Sequence, residues 1–411
     1  ASHISASAVS GVAYLCHINI MLSALGGGLA VGASIKVSQA YGAGDFQLVK
    51  RRVSTMFALC AVLGGGLFLL LAPVTPQFLR LMNTPEEFIA EGSTYFVLEL
   101  FGLMITFFNN VYIAIERARG NSQRILFLNM AVIAIKLSLT ALFVYRLNGG
   151  INMISLATIL SQGFLFLAAV RNMNQKGNAF GFSIRAISFN SQVIKPMLYL
   201  SFPVIIEKIA FSLGKVVVNS MSAVYGSWTV GALGISNNIG GITTMPQNGF
   251  QEGGSAVISQ NLGAGKPRRA FAAFWWILAI NAFLGFFLMG LSLLFLDQLA
   301  LFFAGDNFQF AEMIKDIYRY EAMGAVPLGI NSAVLGLLYG FGKTRITLLM
   351  NFCRVFVFRI PVLWWLQNFT NFGWESAGIV MAVSNILSGL LAAAVALIEL
   401  YRISKTMKKD Q

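Results

Sequence analysis

One helix ending is written twice in this chain. Val37-Ser38-Gln39-Ala40-Tyr41-Gly42-Ala43-Gly44-Asp45 returns 221 residues later as Ile258-Ser259-Gln260-Asn261-Leu262-Gly263-Ala264-Gly265-Lys266. The match extends upstream, Gly28 to Gly249, Gly32 to Gly253 and Ser34 to Ser255. At an offset of 222, Glu99 falls on Glu321, Gly102 on Gly324, Gly120 on Gly342 and Asn129 on Asn351. One single-residue indel over such a stretch marks two homologous halves. The chain therefore has to fold as a duplicated unit, not as one large domain.

Composition says which kind of unit. Hydrophobic residues make up 57% and charged residues 11%, against about 45–50% and about 25% in an ordinary globular chain. An all-α, polytopic membrane protein follows. Apolar stretches at 8–36, 53–73, 91–115, 125–145, 151–170, 196–221, 229–259, 271–296, 318–340, 346–367 and 376–400 each approach or exceed the ~20 residues that cross the hydrocarbon. Eleven spans are predicted.

The net charge of +13 does not signal a nucleic-acid partner, because the basic residues follow a topology. Alternate loops carry nineteen of them, from Lys50, Arg51 and Arg52 through Lys266, Arg268 and Arg269 to Arg402, Lys405, Lys408 and Lys409, and the opposite loops carry four, Arg80, Arg146, Lys315 and Arg319. The positive-inside rule makes the rich set and the C-terminus cytoplasmic. Residue 1 then lies outside, and the span 196–221 has no counterpart in the first half. The expectation is a first half lacking its first helix: an N-terminal lobe at 1–170, a cytoplasmic linker at 171–195 and a C-terminal lobe at 196–411, built as two parallel six-helix bundles with eleven helices present.

Enzyme chemistry finds no support. Cys16, Cys60 and Cys353 lie inside spans without ligand spacing and read as small buried apolar residues; His3 and His17 have no catalytic neighbours. Gly263-Ala264-Gly265-Lys266 lacks the spacing of a phosphate-binding loop. No metal or cofactor is expected. Repeats of six spans keep both copies parallel, the construction of many secondary transporters, with small-molecule substrate sites between repeats.

Together the two GAG endings, Ser236-Asn237-Asn238-Ile239 through Met245-Pro246, the turn Gly340-Phe341-Gly342-Lys343-Thr344 and Arg359-Ile360-Pro361 resemble the multidrug and toxic compound extrusion family, over essentially the whole chain. The resemblance implies a V-shaped antiporter of a bacterial cytoplasmic membrane; a monomer is expected. It would export amphipathic, often cationic compounds in exchange for H+ or Na+.

Charge inside a membrane is costly, about 2.5–3.5 kcal/mol at mid-helix on insertion scales, so intramembrane acids are functional candidates. Four qualify: Glu207, Glu321, Glu252 and Glu99. On 196–221, Ser201, Lys208, Ser212, Lys215, Asn219 and Ser222 share one helical face, with Glu207 about 100° from Lys208. On 229–259, Asn237, Thr244, Asn248, Gln251 and Ser255 form a second stripe beside Glu252. Such stripes should line a wet cavity. The resemblance places the coupling carboxylate of the C-terminal lobe at Glu207, with transient Na+ or H+ binding there, and a further acid at Glu321. The competing reading is a static pair, Glu207 with Lys208 or Lys215, or Glu321 with Arg354. Asn109 either lines the cavity or bonds between helices. Lys136 and Thr140 stand where family members often have Asn and Asp, which shifts the expected coupling site to the C-terminal lobe. Six basic residues, Lys36, Lys136, Lys208, Lys215, Arg354 and Arg359, fall inside spans. That excess favours a second reading, a flippase or exporter of anionic lipid-linked or phosphorylated intermediates. A third, a non-transporting scaffold, leaves the cost of those charges unexplained.

Overall fold

The computed structural model describes residues 6–81, 86–147, 149–175, 177–305 and 307–409. Helices follow one another as α1 (Ala6–Gly42), α2 (Phe46–Leu71), α3 (Thr75–Leu81), α4 (Glu86–Arg119), α5 (Ser122–Ala141), α6 (Ile151–Met173), α7 (Ser191–Ser222), α8 (Ser227–Gly263), α9 (Pro267–Leu294), α10 (Leu296–Ala304), α11 (Phe308–Ala322), α12 (Ala325–Gly340), α13 (Thr344–Phe352), α14 (Ile360–Phe369) and α15 (Glu375–Lys409). The described residues contain no strand. His3 lies outside them, and of Cys16 and His17 only the helical backbone is described.

The sequence offset is also the structural one. Helices α1 and α8 are both 37 residues long and begin and end 221 residues apart. After them Gly44 and Gly265 adopt φ of 75° and 69°, a left-handed conformation that glycine enters without a Cβ penalty. Each closes the same Schellman cap: Gly44 N–H donates to Tyr41 O and Asp45 N–H to Ala40 O, as Gly265 N–H does to Leu262 O and Lys266 N–H to Asn261 O. A second pair of caps follows at Gly120 and Gly342, φ 86° and 72°. The repeated GAG ending is thus a helix stop, and no phosphate-binding role is needed to explain it.

Eight described helices are long and apolar enough to cross a membrane, and α11 with α12 makes a ninth path bent by 50°. Helices α7 and α8 fall outside that set because their polar stripes dilute the hydropathy. Several predicted spans are less regular than expected; 125–145 runs into a π turn, Leu142–Arg146. The stretch 318–340 breaks between Ala322 and Ala325, where Pro327 cannot donate a backbone hydrogen bond in the first turn of α12. The stretch 346–367 contains a π turn, Cys353–Val357, before α14.

The chain divides by contacts into two compact units, residues 1–209 and 210–411, with the division inside α7. The first is built on α1, α2, α4 and α6 around Val37, Val53, Met56, Cys60, Phe107, Val111, Ile115 and Met197. The start of α7 belongs to it for a steric reason. A β-carbon at Gly28 would lie 2.7 Å from Ile205 Cα, and one at Gly32 only 2.3 Å from Ser201 Cα. This Gly-x-x-x-Gly face brings two backbones into direct contact, as small residues do between membrane helices. The second unit packs α8, α9, α11, α12 and α15 around Leu233, Ile239, Ile314, Ile317, Tyr318, Leu363 and Val380.

Candidate functional site

The repeat-related acids Glu99 and Glu321 each sit within one unit, half-buried, and each is held by a polar side chain of the duplicated helix. In the first unit, Asn19 Nδ2 on α1 donates to Glu99 Oε2, and Ser155 on α6 donates to Oε1 at 2.6 Å. Ser155 is fully buried. In the second unit, Ser236 on α8 donates to Glu321 Oε2. Asn19 aligns with Gly240, where a β-carbon would lie 3.2 Å from Glu321 Oε1. The amide that binds the first carboxylate is therefore replaced by a glycine that merely makes room for the second.

Their electrostatic surroundings differ more. Among the described residues, the hydrogen-bond partners of Glu99 are neutral. Around Glu321 lie Lys215, Arg354 and Arg359, all within Coulombic range. Backbone geometry assembles this cluster. Positions five apart on a regular helix point about 140° apart; in the π turn Phe358 N–H instead bonds Cys353 O at 2.9 Å, an i→i+5 closure. Arg354 and Arg359 consequently converge on one acceptor. Arg354 Nη2 and Arg359 Nη2 donate to Asn385 Oδ1 at 3.0 and 3.2 Å, and Arg359 Nε donates to Ser384 Oγ at 3.1 Å. The Phe211 ring lies beneath both Lys215 Nζ, 5.2 Å from its centroid, and Arg354 Cζ, at 5.4 Å. No ion pair among the described residues joins Glu321 to Arg354, so the static pair expected between them is not formed; Ser236 takes that place.

The other candidates scatter. Glu207 is 7% exposed and lies on the part of α7 that belongs to the first unit, apart from the unit that holds Glu321. Lys208 is half-buried, its Nζ 3.3 Å from where a β-carbon of Gly27 would stand. Along α7, Ser201 does not line a wet face: it is buried and its hydroxyl donates to Leu29 O at 3.2 Å. Ser222 is also buried, whereas Ser212 and Asn219 are half-buried and Lys215 is exposed. On α8, Asn237, Thr244, Gln251, Glu252 and Ser255 are half-buried; Asn248 is exposed, and its Oδ1 accepts from Ser332 Oγ on α12 at 3.2 Å. Asn109 is not an open-face residue. It is 1% exposed and its amide donates to Gln162 O and Oε1 at 2.9 and 2.8 Å, tying α4 to α6. Lys136 is exposed on α5, and the groups that hold Glu99 come from α1 and α6.

A buried polar group escaped the sequence reading. Gln247 on α8 donates through Nε2 to Asn281 O and Ala325 O at 3.2 and 3.0 Å, beside Gly285 and Gly329, both of which would clash with it if they carried a β-carbon. In the first repeat the same hole is filled from the opposite side. Gly26 replaces Gln247, and the Phe107 ring stands over it, 2.2 Å from a virtual β-carbon; Phe107 aligns with Gly329, and Gly64 with Gly285. The offset that aligned the acids would have exposed this exchange of large for small.

With this geometry in place, comparisons with known proteins fix the family. The MatE family model matches residues 1–142 and 203–365. The chain belongs to the MatE family. Probable multidrug resistance protein NorM of Thermotoga maritima is 22% identical over 398 residues, covering 95% of this chain and 84% of that protein. Probable multidrug resistance protein YoeA of Bacillus subtilis is 25% identical over 264 residues, 62% of this chain, and the match spans only 57% of that relative's length. Among solved structures, a MATE in complex with MaL6 superposes with a TM-score of 0.93 at 18% identity, covering 98% of this chain and 91% of the other. An outward-facing multidrug resistance MATE transporter of the MOP superfamily gives 0.92 at 18%, covering 98% and 90%. At such identity the likeness establishes the fold: an all-α MATE architecture in a multi-pass membrane protein.

Proposed function

We propose that this protein is a secondary active antiporter of a bacterial cytoplasmic membrane, exporting amphipathic compounds in exchange for H+ or Na+ by alternating access. It acts as a monomer without a cofactor, with two lobes joined by residues 171–195 and the C-terminus in the cytoplasm. The observation that carries the reading is the contrast between Glu99 and Glu321. A desolvated carboxylate bonded to neutral donors is compensated by taking up a cation. Glu99, held by the Asn19 amide N–H and the Ser155 hydroxyl, is such a group, and its carboxylate would take H+ or Na+. A carboxylate surrounded by three basic side chains repels a further cation, so Glu321 acts as their counter-charge. This moves coupling from the expected C-terminal site to the first unit; Glu207 and Glu252 are secondary candidates. The test is efflux from proteoliposomes under separately imposed proton and sodium gradients. Loss of the response in Glu99→Gln with its retention in Glu321→Gln supports the assignment, and the reverse pattern overturns it.

A further inference from the structure

The second unit gathers more positive charge than it balances. Lys215, Arg354 and Arg359 share one carboxylate, Glu321, and none of the three forms an ion pair with it among the described residues. Two positive charges are left over. The cost of gathering like charges in a low-dielectric region is relieved when an anion joins them.

The arrangement is built, not incidental. Arg359 is 2% exposed and Asn385 fully buried. Asn385 Oδ1 serves as common acceptor to both guanidinium groups, which fixes the fork of Arg354 while its Nε stays buried and unpartnered. Lys215 makes no hydrogen bond among the described residues; it rests over the Phe211 ring with its ammonium free. A planar guanidinium with donors to spare, an adjacent ammonium and an aromatic face between them match an oxyanion carried on an apolar body. A cationic guest would meet repulsion at the same place.

We propose that Lys215 and Arg354, on the Phe211 face and positioned by Asn385, bind the anionic group, a carboxylate, sulfonate or phosphate, of an amphipathic ligand. The inference rests on the exporter reading only for its transport consequence, because binding can be measured without a gradient. The repeat provides an internal contrast. The counterparts of Arg354 and Arg359 at the 222 offset are Val132 and Leu137, so the cationic site belongs to the second half alone.

The experiment uses the full chain in zwitterionic nanodiscs and three fluorescent probes of one length: 11-(dansylamino)undecanoate, its methyl ester and the matching dansyl-undecylamine. The carboxylate should bind at least about tenfold more tightly than either of the others, the size of one charge-assisted hydrogen bond. Lys215→Met and Arg354→Met should each weaken carboxylate binding about tenfold and leave ester binding unchanged, and Lys215→Arg should restore most of the loss. Since Lys215 is exposed, its substitution separates lost recognition from lost folding. Repeating the titration in nanodiscs with phosphatidylglycerol tells the source of the anion: displacement of the probe indicates a lipid headgroup, and undisturbed binding a free guest. Either result supports the site. Equal affinity for the three probes, or carboxylate affinity indifferent to both methionine variants, overturns it. Loss of gradient-driven export with intact carboxylate selectivity would refute the transport reading and leave this one standing.

Discussion

Replacing Glu99 by Gln preserves the shape of the side chain and deletes one charge, so its effect on coupling can be worked out before it is measured. With one coupling carboxylate, each cycle exchanges one cation for one substrate. If the membrane potential is clamped at zero with valinomycin and potassium, a one-unit pH difference is worth about 1.36 kcal/mol and sustains about a tenfold substrate ratio. Two coupling carboxylates would sustain about a hundredfold ratio. In Glu99→Gln the ratio should fall to one, while Glu321→Gln should hold the wild-type value, because Glu321 balances Lys215, Arg354 and Arg359. Structural damage at Glu99 should be modest. Two hydrogen bonds to a charged acceptor, worth about 1.5–3 kcal/mol each, become bonds to a neutral amide at about 0.5–1.5, a loss of about 2 kcal/mol visible as a lower melting temperature. The assay is the steady-state distribution of rhodamine 6G or 11-(dansylamino)undecanoate, whichever is transported, across proteoliposomes, repeated with a tenfold sodium gradient. A tenfold ratio in Glu99→Gln would refute the reasoning. So would a hundredfold wild-type ratio that drops to tenfold in Glu321→Gln.

Three further outcomes follow from packing and charge. Gly26→Ala sets a β-carbon 2.2 Å from the Phe107 ring and should destabilise by about 1–3 kcal/mol, whereas Gly65→Ala, with nothing within 4 Å, should be neutral or gain up to about 1 kcal/mol; thermal unfolding read by dye labelling of buried Cys60 compares them. Gln247→Leu removes both bonds to the Asn281 and Ala325 carbonyls and should cost about 1–3 kcal/mol in the same assay, with Gln247→Glu no better because it brings an unpaired charge. The Lys315 ammonium, hydrogen-bonded to Asp297 at 2.9 Å, holds that exposed carboxyl below the usual carboxylate range. A folded-state value below the unfolded one gives stability that is present above the unfolded value and lost as pH falls through the folded one, so Asp297→Asn should lower the melting temperature slightly at neutral pH, converge with the wild type in acid and so flatten the acid end of the profile.

Which parts of this molecule are legible in its sequence depends on how local their causes are. The helix stops are local: a glycine at a left-handed position and the hydrogen bonds of its own turn define them, so Gly44 and Gly265 announce both caps and the duplication. The spans are legible for the same reason, since length and hydropathy are properties of a segment. The break at Ala322–Ala325 is half-local, because Pro327 signals it but an unbroken α4 at the equivalent place argues the other way. The environments of the acids are not local. Whether a carboxylate is a cation site or a counter-charge depends on which side chains arrive from distant helices, Asn19 and Ser155 in one unit and Arg354 in the other, 56 to 80 residues away in the first case. Helical periodicity misjudged Ser201, and left both readings of Asn109 open, for a related reason. It identifies a polar face without distinguishing a wet one from a seam between helices, where a hydroxyl or amide bonds a neighbouring carbonyl.

The two halves show how a duplicated fold acquires two chemistries while keeping its backbone. The hole flanked by Gly64 or Gly285 has to be filled, since membrane-protein interiors tolerate voids no better than soluble ones. Phe107 fills it from α4 over Gly26, and Gln247 fills it from α8 against Gly329. Each solution requires a glycine on the facing helix, so neither change is tolerable without its partner. A one-sided substitution overpacks or empties the site, whereas the paired exchange conserves volume and turns an apolar plug into a polar one next to the bend before α12. Acids follow the same logic. Asn19 opposite Glu99 became Gly240 opposite Glu321, which removes a direct donor and leaves the second carboxylate to Ser236 and to the field of the π-turn arginines. A π turn is a one-residue adjustment of helical register, enough to swing Arg354 and Arg359 onto a single acceptor without disturbing the helix ends that the repeat holds fixed. On this argument, differences in ligand charge among proteins of this architecture should be sought at the register of the helix carrying residues 344–369 and at the residue facing each repeat-related acid, more than in the packing of the bundles.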